Sequence, residues 1–106
     1  MPVLELYLED ALSFVKEKGT KLVWIGKEPT EYISQLLDLE PGVLVNADPN
    51  KLLHIEQKDA AAYKDHIFVC YHGVSSKYVA EMLDEEYKLE SGSLKGGVTA
   101  IVGEIF

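Results

Sequence analysis

Arginine is absent from this chain of 106 residues, so its ten basic residues are all lysine. Acidic residues outnumber them, and the formal net charge is −8 at pH 7. Proteins bind a nucleic-acid backbone chiefly through clustered Lys and Arg, so this composition argues against nucleic acid as a partner. Bidentate recognition of anions usually requires Arg. An anion bound here must therefore depend on backbone amides, lysine or histidine.

Cysteine occurs once, and long apolar runs are missing. A single cysteine excludes an intramolecular disulfide and fits a reducing compartment. No stretch approaches the roughly 20 apolar residues of a membrane span, and the first residues lack the pattern of a signal peptide. His54 and His66 have no partners at metal-ligand spacing, so we predict no metal and no cofactor. We expect a soluble, cytoplasmic protein with no membrane partner.

Short apolar segments alternate with helical periodicity along the chain. With 47% hydrophobic and 26% charged residues, the composition is that of an ordinary globular protein, and the length predicts one domain over residues 1–106. Apolar spacing predicts helices at 8–15 (ending near Gly19), 29–37, 79–83 and 98–105, with a weaker one at 59–63. Predicted strands lie at 21–25, 43–45, 67–69 and 88–90, with turns at 41–42 and 48–50 and loops at 91–93 and 95–97.

This alternation predicts an α/β fold with a parallel sheet and helices on both faces. Residues 67–69 are apolar throughout, as a central strand between two helical layers would be. Ligands in such folds bind beyond the carboxyl ends of the strands. Cys70 lies at that end of the central strand, which favours a functional role for it.

The residues after Cys70 predict an anion-binding loop. A glycine-containing turn leads into a helix whose first N–H groups and dipole favour negative charge. A thiol placed there is expected to ionise more easily than a free cysteine. The residues predicted to form the loop after Cys70 are Tyr71, His72, Gly73, Val74 and Ser75.

Four motifs occur in order along nearly the whole chain: Glu28-Pro29-Thr30-Glu31-Tyr32, Pro41-Gly42-Val43, Cys70-Tyr71-His72-Gly73-Val74-Ser75-Ser76 and Leu94-Lys95-Gly96-Gly97-Val98-Thr99-Ala100. They resemble the acidic helix start, the P-G-A turn, the C-x-x-G-x-R-S active-site loop and the L-x-G-G closing segment of single-domain rhodanese-like sulfurtransferases. The resemblance implies a three-layer domain with a central, mostly parallel, five-stranded sheet.

The resemblance also implies a reaction. Members of this family take sulfane sulfur from a donor such as thiosulfate onto the loop cysteine, and pass it to a thiol or cyanide. Cys70 is then the nucleophile, the backbone of 71–75 is the anion cradle, and an external thiol or a partner protein is the acceptor. Since no second cysteine exists, the persulfide cannot be resolved internally.

Two departures from the family pattern leave an alternative open. Ser75 stands where the family often has Arg, and Ile25-Gly26-Lys27-Glu28-Pro29 replaces D-V-R-E-P, so the Asp is lost. We therefore expect weak turnover of thiosulfate, and the alternative is a non-enzymatic binding or regulatory module. A phosphatase is not expected, because a tyrosine phosphatase loop has Arg six positions after its cysteine and position 76 is Ser.

Several residues have a purely structural interpretation as well as a functional one. Cys70 is either reactive or a small buried apolar residue. His72 either acts on the sulfur or is an exposed loop residue, and Tyr71 either walls the pocket or only packs. Ser75 and Ser76 either bond to bound sulfur or sulfate or cap the next helix. Lys27 and Lys95 form a basic rim or are ordinary surface lysines.

Overall fold

A computed structural model describes residues 3–103, which form strands and helices in alternation. The strands are β1 (Leu4–Leu6), β2 (Leu22–Trp24), β3 (Leu44–Asn46), β4 (Ile67–Val69) and β5 (Gly92–Leu94). The helices are α1 (Leu8–Lys18), α2 (Thr30–Leu36), α3 (Pro49–Leu53), α4 (Gln57–Ala60), α5 (Val74–Tyr87) and α6 (Thr99–Val102), with a 3-10 turn at Ala61–Tyr63. Within this described part, no helix is both long and apolar enough to cross a membrane.

The five strands form one sheet in the order β1-β5-β4-β2-β3, and every neighbouring pair is parallel. The predicted α/β class and five-stranded sheet are confirmed, and the sheet is entirely parallel. Strand β4 lies in the middle, as its continuous apolar sequence predicts. Its carboxyl end, where Cys70 follows, is therefore at the centre of the edge where parallel sheets bind ligands.

Helices cover both faces of the sheet, because alternate side chains of the buried strands point to opposite sides. Trp24 faces the side covered by α1 and α2, where it joins Ala11 and Ile33 in one core cluster. Val23 faces the other side, where it joins Leu83 of α5 in a second cluster. These two clusters hold the sheet as the middle of three layers.

Strand β5 is the main error of the sequence-based interpretation, which placed a strand at 88–90 and a loop at 91–93. Lys88 has φ 56° and ends α5 in the left-handed conformation. The strand begins at Gly92, where an added Cβ would lie 2.7 Å from Ile67 Cδ1 and 2.9 Å from the Leu4 carbonyl oxygen. Only glycine fits between the neighbouring strands, and its usual association with turns concealed the strand.

Other boundaries also differ from the predicted ones. The predicted turn at 48–50 is the start of α3, where the Asp48 side chain caps the helix by accepting from the Asn50 N–H at 2.9 Å. Strand β1 was not predicted from its short sequence. The predicted helix at 59–63 is divided between α4 and the 3-10 turn. The last helix occupies Thr99–Val102, while Ile105 of the predicted pattern lies outside the described residues.

Candidate active site

Cys70 directly follows the central strand and is buried beneath its own loop. Its side chain is 3% exposed, and the three residues of β4 before it are fully buried. The chain then turns through Gly73, whose φ of 85° is left-handed, into α5. This conformation favours glycine because it lacks a Cβ.

Three hydrogen-bonding groups surround the sulfur. The N–H groups of Gly73 and Ser76 donate to Sγ of Cys70 at 3.1 and 3.3 Å, and the thiol donates to the Ser76 hydroxyl at 3.3 Å. Gly73 belongs to the predicted cradle, whereas Ser76 extends it by one residue. The alternative in which Ser75 or Ser76 caps α5 is wrong, because the N-cap is Gly73. The arrangement places N–H donors where a negative sulfur would need them.

Behind Ser76 lies a second buried serine that the sequence did not identify. Ser76 and Ser93 are both 0% exposed, and their hydroxyl oxygens are 2.5 Å apart. Ser93 is in the middle of β5, the strand hidden by its Gly-Ser composition. Recognising the strand would have been the signal, since β4 and β5 are neighbours and Ser93 pairs with Phe68.

The segment after β5 holds the cysteine loop in place. The N–H groups of Val98 and Thr99 donate to the carbonyl oxygens of Cys70 and Tyr71, each at 3.0 Å. Gly97 lies so close that a Cβ there would be 2.5 Å from the Tyr71 carbonyl oxygen. Gly97 of the closing motif therefore has a physical reason, which is the direct packing of two backbones.

Tyr71 connects the cysteine loop to the segment after β2. Its ring meets Trp24 edge to face, with centroids 5.1 Å apart. Its hydroxyl accepts from the Lys27 N–H at 3.1 Å and donates to the carboxylate of Glu28, while Trp24 Nε1 donates to the Glu28 carbonyl at 2.9 Å. Burial, followed by the hydrogen bond to Glu28, raises the pKa of the Tyr71 phenol above its usual value of 10.0. Tyr71 both walls the site and packs beneath it.

His72 is exposed at the rim, with Nδ1 3.1 Å from the Thr99 hydroxyl. That hydroxyl also contacts the Tyr71 carbonyl oxygen at 3.0 Å, where only its proton can make the bond. The contact between Nδ1 of His72 and the Thr99 hydroxyl orients the ring, and the imidazole tautomer decides which of the two groups donates. A role of His72 in sulfur chemistry stays a prediction.

A cleft of about 490 Å³ opens beside the cysteine loop at the carboxyl ends of β2 and β3. Tyr71 and Ser75 line it from the loop side, and Lys27 lines it from the segment after β2. Val74, also in the predicted loop, is 74% exposed. A larger cavity of about 1060 Å³ lies beside α3 and α4. We take the smaller cleft as the candidate site because residues of the cysteine loop line it.

The remaining candidate residues differ in whether they lie at the cleft. Lys95 Nζ stands 5.4 Å from the centroid of the Tyr7 ring, and Lys27 is the lysine that the cleft includes. His54 ends α3, and Nδ1 of His66 is 2.9 Å from the Lys64 carbonyl oxygen. Ile25, at the position of the family's Asp, is buried in the second core cluster. The basic rim is thus reduced to Lys27 among these residues.

Comparison with known proteins gives structural neighbours without close sequence relatives. No protein-family model and no curated protein matches the chain. A rhodanese-related protein of Thermoplasma volcanium superposes with a TM-score of 0.52 and 18% identity, over 100% of this chain and 95% of that one. A Rhodopseudomonas palustris protein of unknown function, described as a possible tyrosine phosphatase, superposes with a TM-score of 0.55 and 17% identity. The superposition covers 92% of this chain and 78% of that one.

A third neighbour, from Staphylococcus saprophyticus, has a TM-score of 0.50 and 13% identity, over 99% of this chain and 97% of that one. At these identities the likeness concerns the fold. The fold predicted from the four motifs is confirmed: the chain has a rhodanese-like α/β fold, with Cys70 at the carboxyl end of its central strand.

Proposed function

We propose that this protein is a sulfurtransferase or persulfide carrier that takes sulfane sulfur onto Cys70 and passes it to an external thiol or cyanide. The supporting observation is the set of groups around Sγ of Cys70: the N–H groups of Gly73 and Ser76 and the hydroxyl of Ser76. The two N–H groups that donate to the sulfur favour its anion, which is the nucleophile in such chemistry.

In the first step, the Cys70 thiolate attacks the outer sulfur of a donor such as thiosulfate. A new S–S bond forms on Sγ, the S–S bond of thiosulfate breaks, and its electron pair leaves with sulfite. The proposed place for the donor is the cleft beside the loop, whose lining includes Lys27 and Asp48 as its charged side chains. The loop N–H groups, together with the N-terminal end of α5, provide the remaining attraction for an anion.

In the second step, an acceptor thiolate attacks the outer sulfur of the protonated persulfide. The bond between the two persulfide sulfurs breaks, Cys70 leaves as a thiolate, and the acceptor departs as a persulfide. Because the chain has one cysteine, the acceptor is an external thiol, whether small or on another protein. We place this chemistry in the cytoplasm, where a lone thiol stays reduced.

Intact mass measurement tests the proposal directly. After incubation with thiosulfate, the protein is expected to gain about 32 Da, which a reductant removes, as a cysteine persulfide would. Cys70→Ser is expected to fold and show no gain. Loading of the Cys70→Ser variant would contradict the mechanism. Polysulfide and a protein persulfide are the alternative donors, and failure of all three would refute the proposal.

The second candidate is a binding module that retains the fold without useful turnover. It is favoured by the 3% exposure of Cys70 and by Ser75 at the position where the family often has Arg. The pH dependence of iodoacetamide alkylation separates the two. A profile with its midpoint clearly below that of a free thiol supports the transferase, whereas an unshifted profile supports the binding module.

A further inference from the structure

Two buried serines behind Cys70 add hydroxyl groups to a sulfur that already has backbone donors. The N–H groups of Gly73 and Ser76 already donate to the sulfur. Ser76 adds its hydroxyl, 3.3 Å from Sγ, and Ser93 contacts that hydroxyl from the neighbouring strand at 2.5 Å. Both serines are fully buried, so this is an interior chain of three polar side chains, Cys70–Ser76–Ser93.

The direction of the hydrogen bonds among Cys70, Ser76 and Ser93 depends on whether the sulfur is a thiol or a thiolate. A neutral thiol donates its proton to Ser76, whose own proton then points to Ser93. A thiolate has no proton to donate, so Ser76 must donate to the sulfur and its oxygen accepts from Ser93. Both hydrogen bonds therefore change direction between the two states. The 2.5 Å contact between the two serine hydroxyl oxygens is kept in both.

The full negative charge on Sγ disappears during loading and reappears during discharge. In a persulfide, Sγ is bonded to two heavy atoms and carries no full charge, whereas Sγ leaves as a thiolate when the acceptor takes the outer sulfur. A donor on Sγ therefore lowers the barrier to this step, because a better stabilised thiolate leaves faster. The same donor makes the thiolate a weaker nucleophile during loading.

We infer that the Ser76 hydroxyl is a catalytic donor for the departure of Cys70 from its persulfide, and that Ser93 is a positioning residue that holds this hydroxyl on the sulfur. The inference rests on the proposed function, since it assigns roles within that reaction. Without Ser93, the Ser76 hydroxyl is free to occupy any of three staggered rotamers.

The test compares loading and discharge in single turnovers of the full chain, with thiosulfate as donor and cyanide as acceptor. The loading and discharge rates of each variant are measured at a pH on the plateau of that variant's own alkylation profile. The fraction of Cys70 present as thiolate is then the same in all variants. Ser76→Ala is expected to discharge roughly three- to tenfold more slowly and to load up to about threefold faster. A loss of folding or packing would slow both steps.

Ser91→Ala is the matched control. Ser91 is also a buried serine, at 4% exposure, and lies two residues before Ser93. Its hydroxyl has no hydrogen-bond partner among the described residues. This variant loses the same atom from the same segment, and is expected to load and discharge at the rates of the unchanged protein.

Ser93→Ala is expected to slow discharge by roughly threefold, the factor for three rotamers. If Ser93 acts through Ser76, adding Ser93→Ala to Ser76→Ala changes nothing further. Equal slowing of loading and discharge by Ser76→Ala would overturn the inference. A threefold effect of Ser93→Ala that persists without the Ser76 hydroxyl would also overturn it.

Alkylation separates failure of this inference from failure of the proposed function. If no donor loads the protein, the proposed function is refuted, but the Cys70 thiol remains measurable. Ser76→Ala is then expected to move the midpoint of the alkylation profile upward by about one pH unit relative to Ser91→Ala. An unchanged midpoint would show that the hydroxyl does not act on the sulfur.

Discussion

Replacing Gly97 by alanine is expected to destabilise the protein by displacing the cysteine loop. The new Cβ would lie 2.5 Å from the Tyr71 carbonyl oxygen, roughly 0.8 Å short of an ordinary carbon–oxygen contact of about 3.3 Å. Moving the loop by that distance would stretch the bonds that Val98 and Thr99 donate to it, now 3.0 Å each, beyond good geometry.

The control is Gly19→Ala, because the two glycines share a left-handed conformation and differ in the space available for an added Cβ. Gly19 has φ 69° with nothing within 4 Å of an added Cβ, whereas Gly97 has φ 66° with the loop against it. The left-handed conformation costs alanine about 1–2 kcal/mol at either position. Overpacking at Gly97 adds a further ~1–3 kcal/mol, so this variant is expected to lose roughly 2–5 kcal/mol.

Urea unfolding measures the free energy of unfolding of each variant. The rate of Cys70 alkylation shows whether the cysteine loop has been displaced. We expect Gly97→Ala to be less stable than Gly19→Ala by the overpacking contribution and to alter alkylation, whereas Gly19→Ala should leave alkylation unchanged. Equal losses of stability in the two variants would refute the reasoning that the close backbone approach sets the loop position.

Two further predictions concern the walls of the site. Tyr71→Phe removes the hydroxyl that bonds to Lys27 and Glu28 and should cost about 1 kcal/mol in urea unfolding. Because the pKa of Tyr71 is raised on folding, its stabilisation is complete below about pH 10 and is lost as the pH rises through the folded value. The variant should therefore lose less stability between pH 9 and 11, and an identical alkaline decline would contradict this. Ser75→Arg should lower the KM for thiosulfate in a salt-dependent manner, while Ser75→Gln, of similar length but neutral, should not; equal effects would show that charge is not what the cleft lacks.

The sequence was most informative where burial and function act through the same residues. Ile67, Phe68 and Val69 are apolar on both faces, which identified the central strand, and the strand located Cys70. The four motifs identified the fold because each is a local backbone requirement, such as the glycine pair that packs against the cysteine loop. Such requirements are visible in a single sequence.

What remained hidden depends on contacts between distant segments. Gly92 and Ser93 resemble a loop locally, and only the approach of Ile67 and Leu4 explains why small residues form a strand there. The Ser76–Ser93 contact joins residues 17 positions apart, and no periodicity predicts it. Asp48 was assigned to a turn because the same residue type begins helices and turns, and the side-chain bond to Asn50 decides between them.

The contact between Trp24 and Tyr71 gives the protein a built-in optical reporter. Trp24 is the only tryptophan of the chain, it is fully buried, and its ring touches the residue next to Cys70. Its emission comes from one place, so a shift on sulfur loading reports the cysteine loop without any attached dye. The proposed half-reactions can thus be tested in real time on the unlabelled molecule.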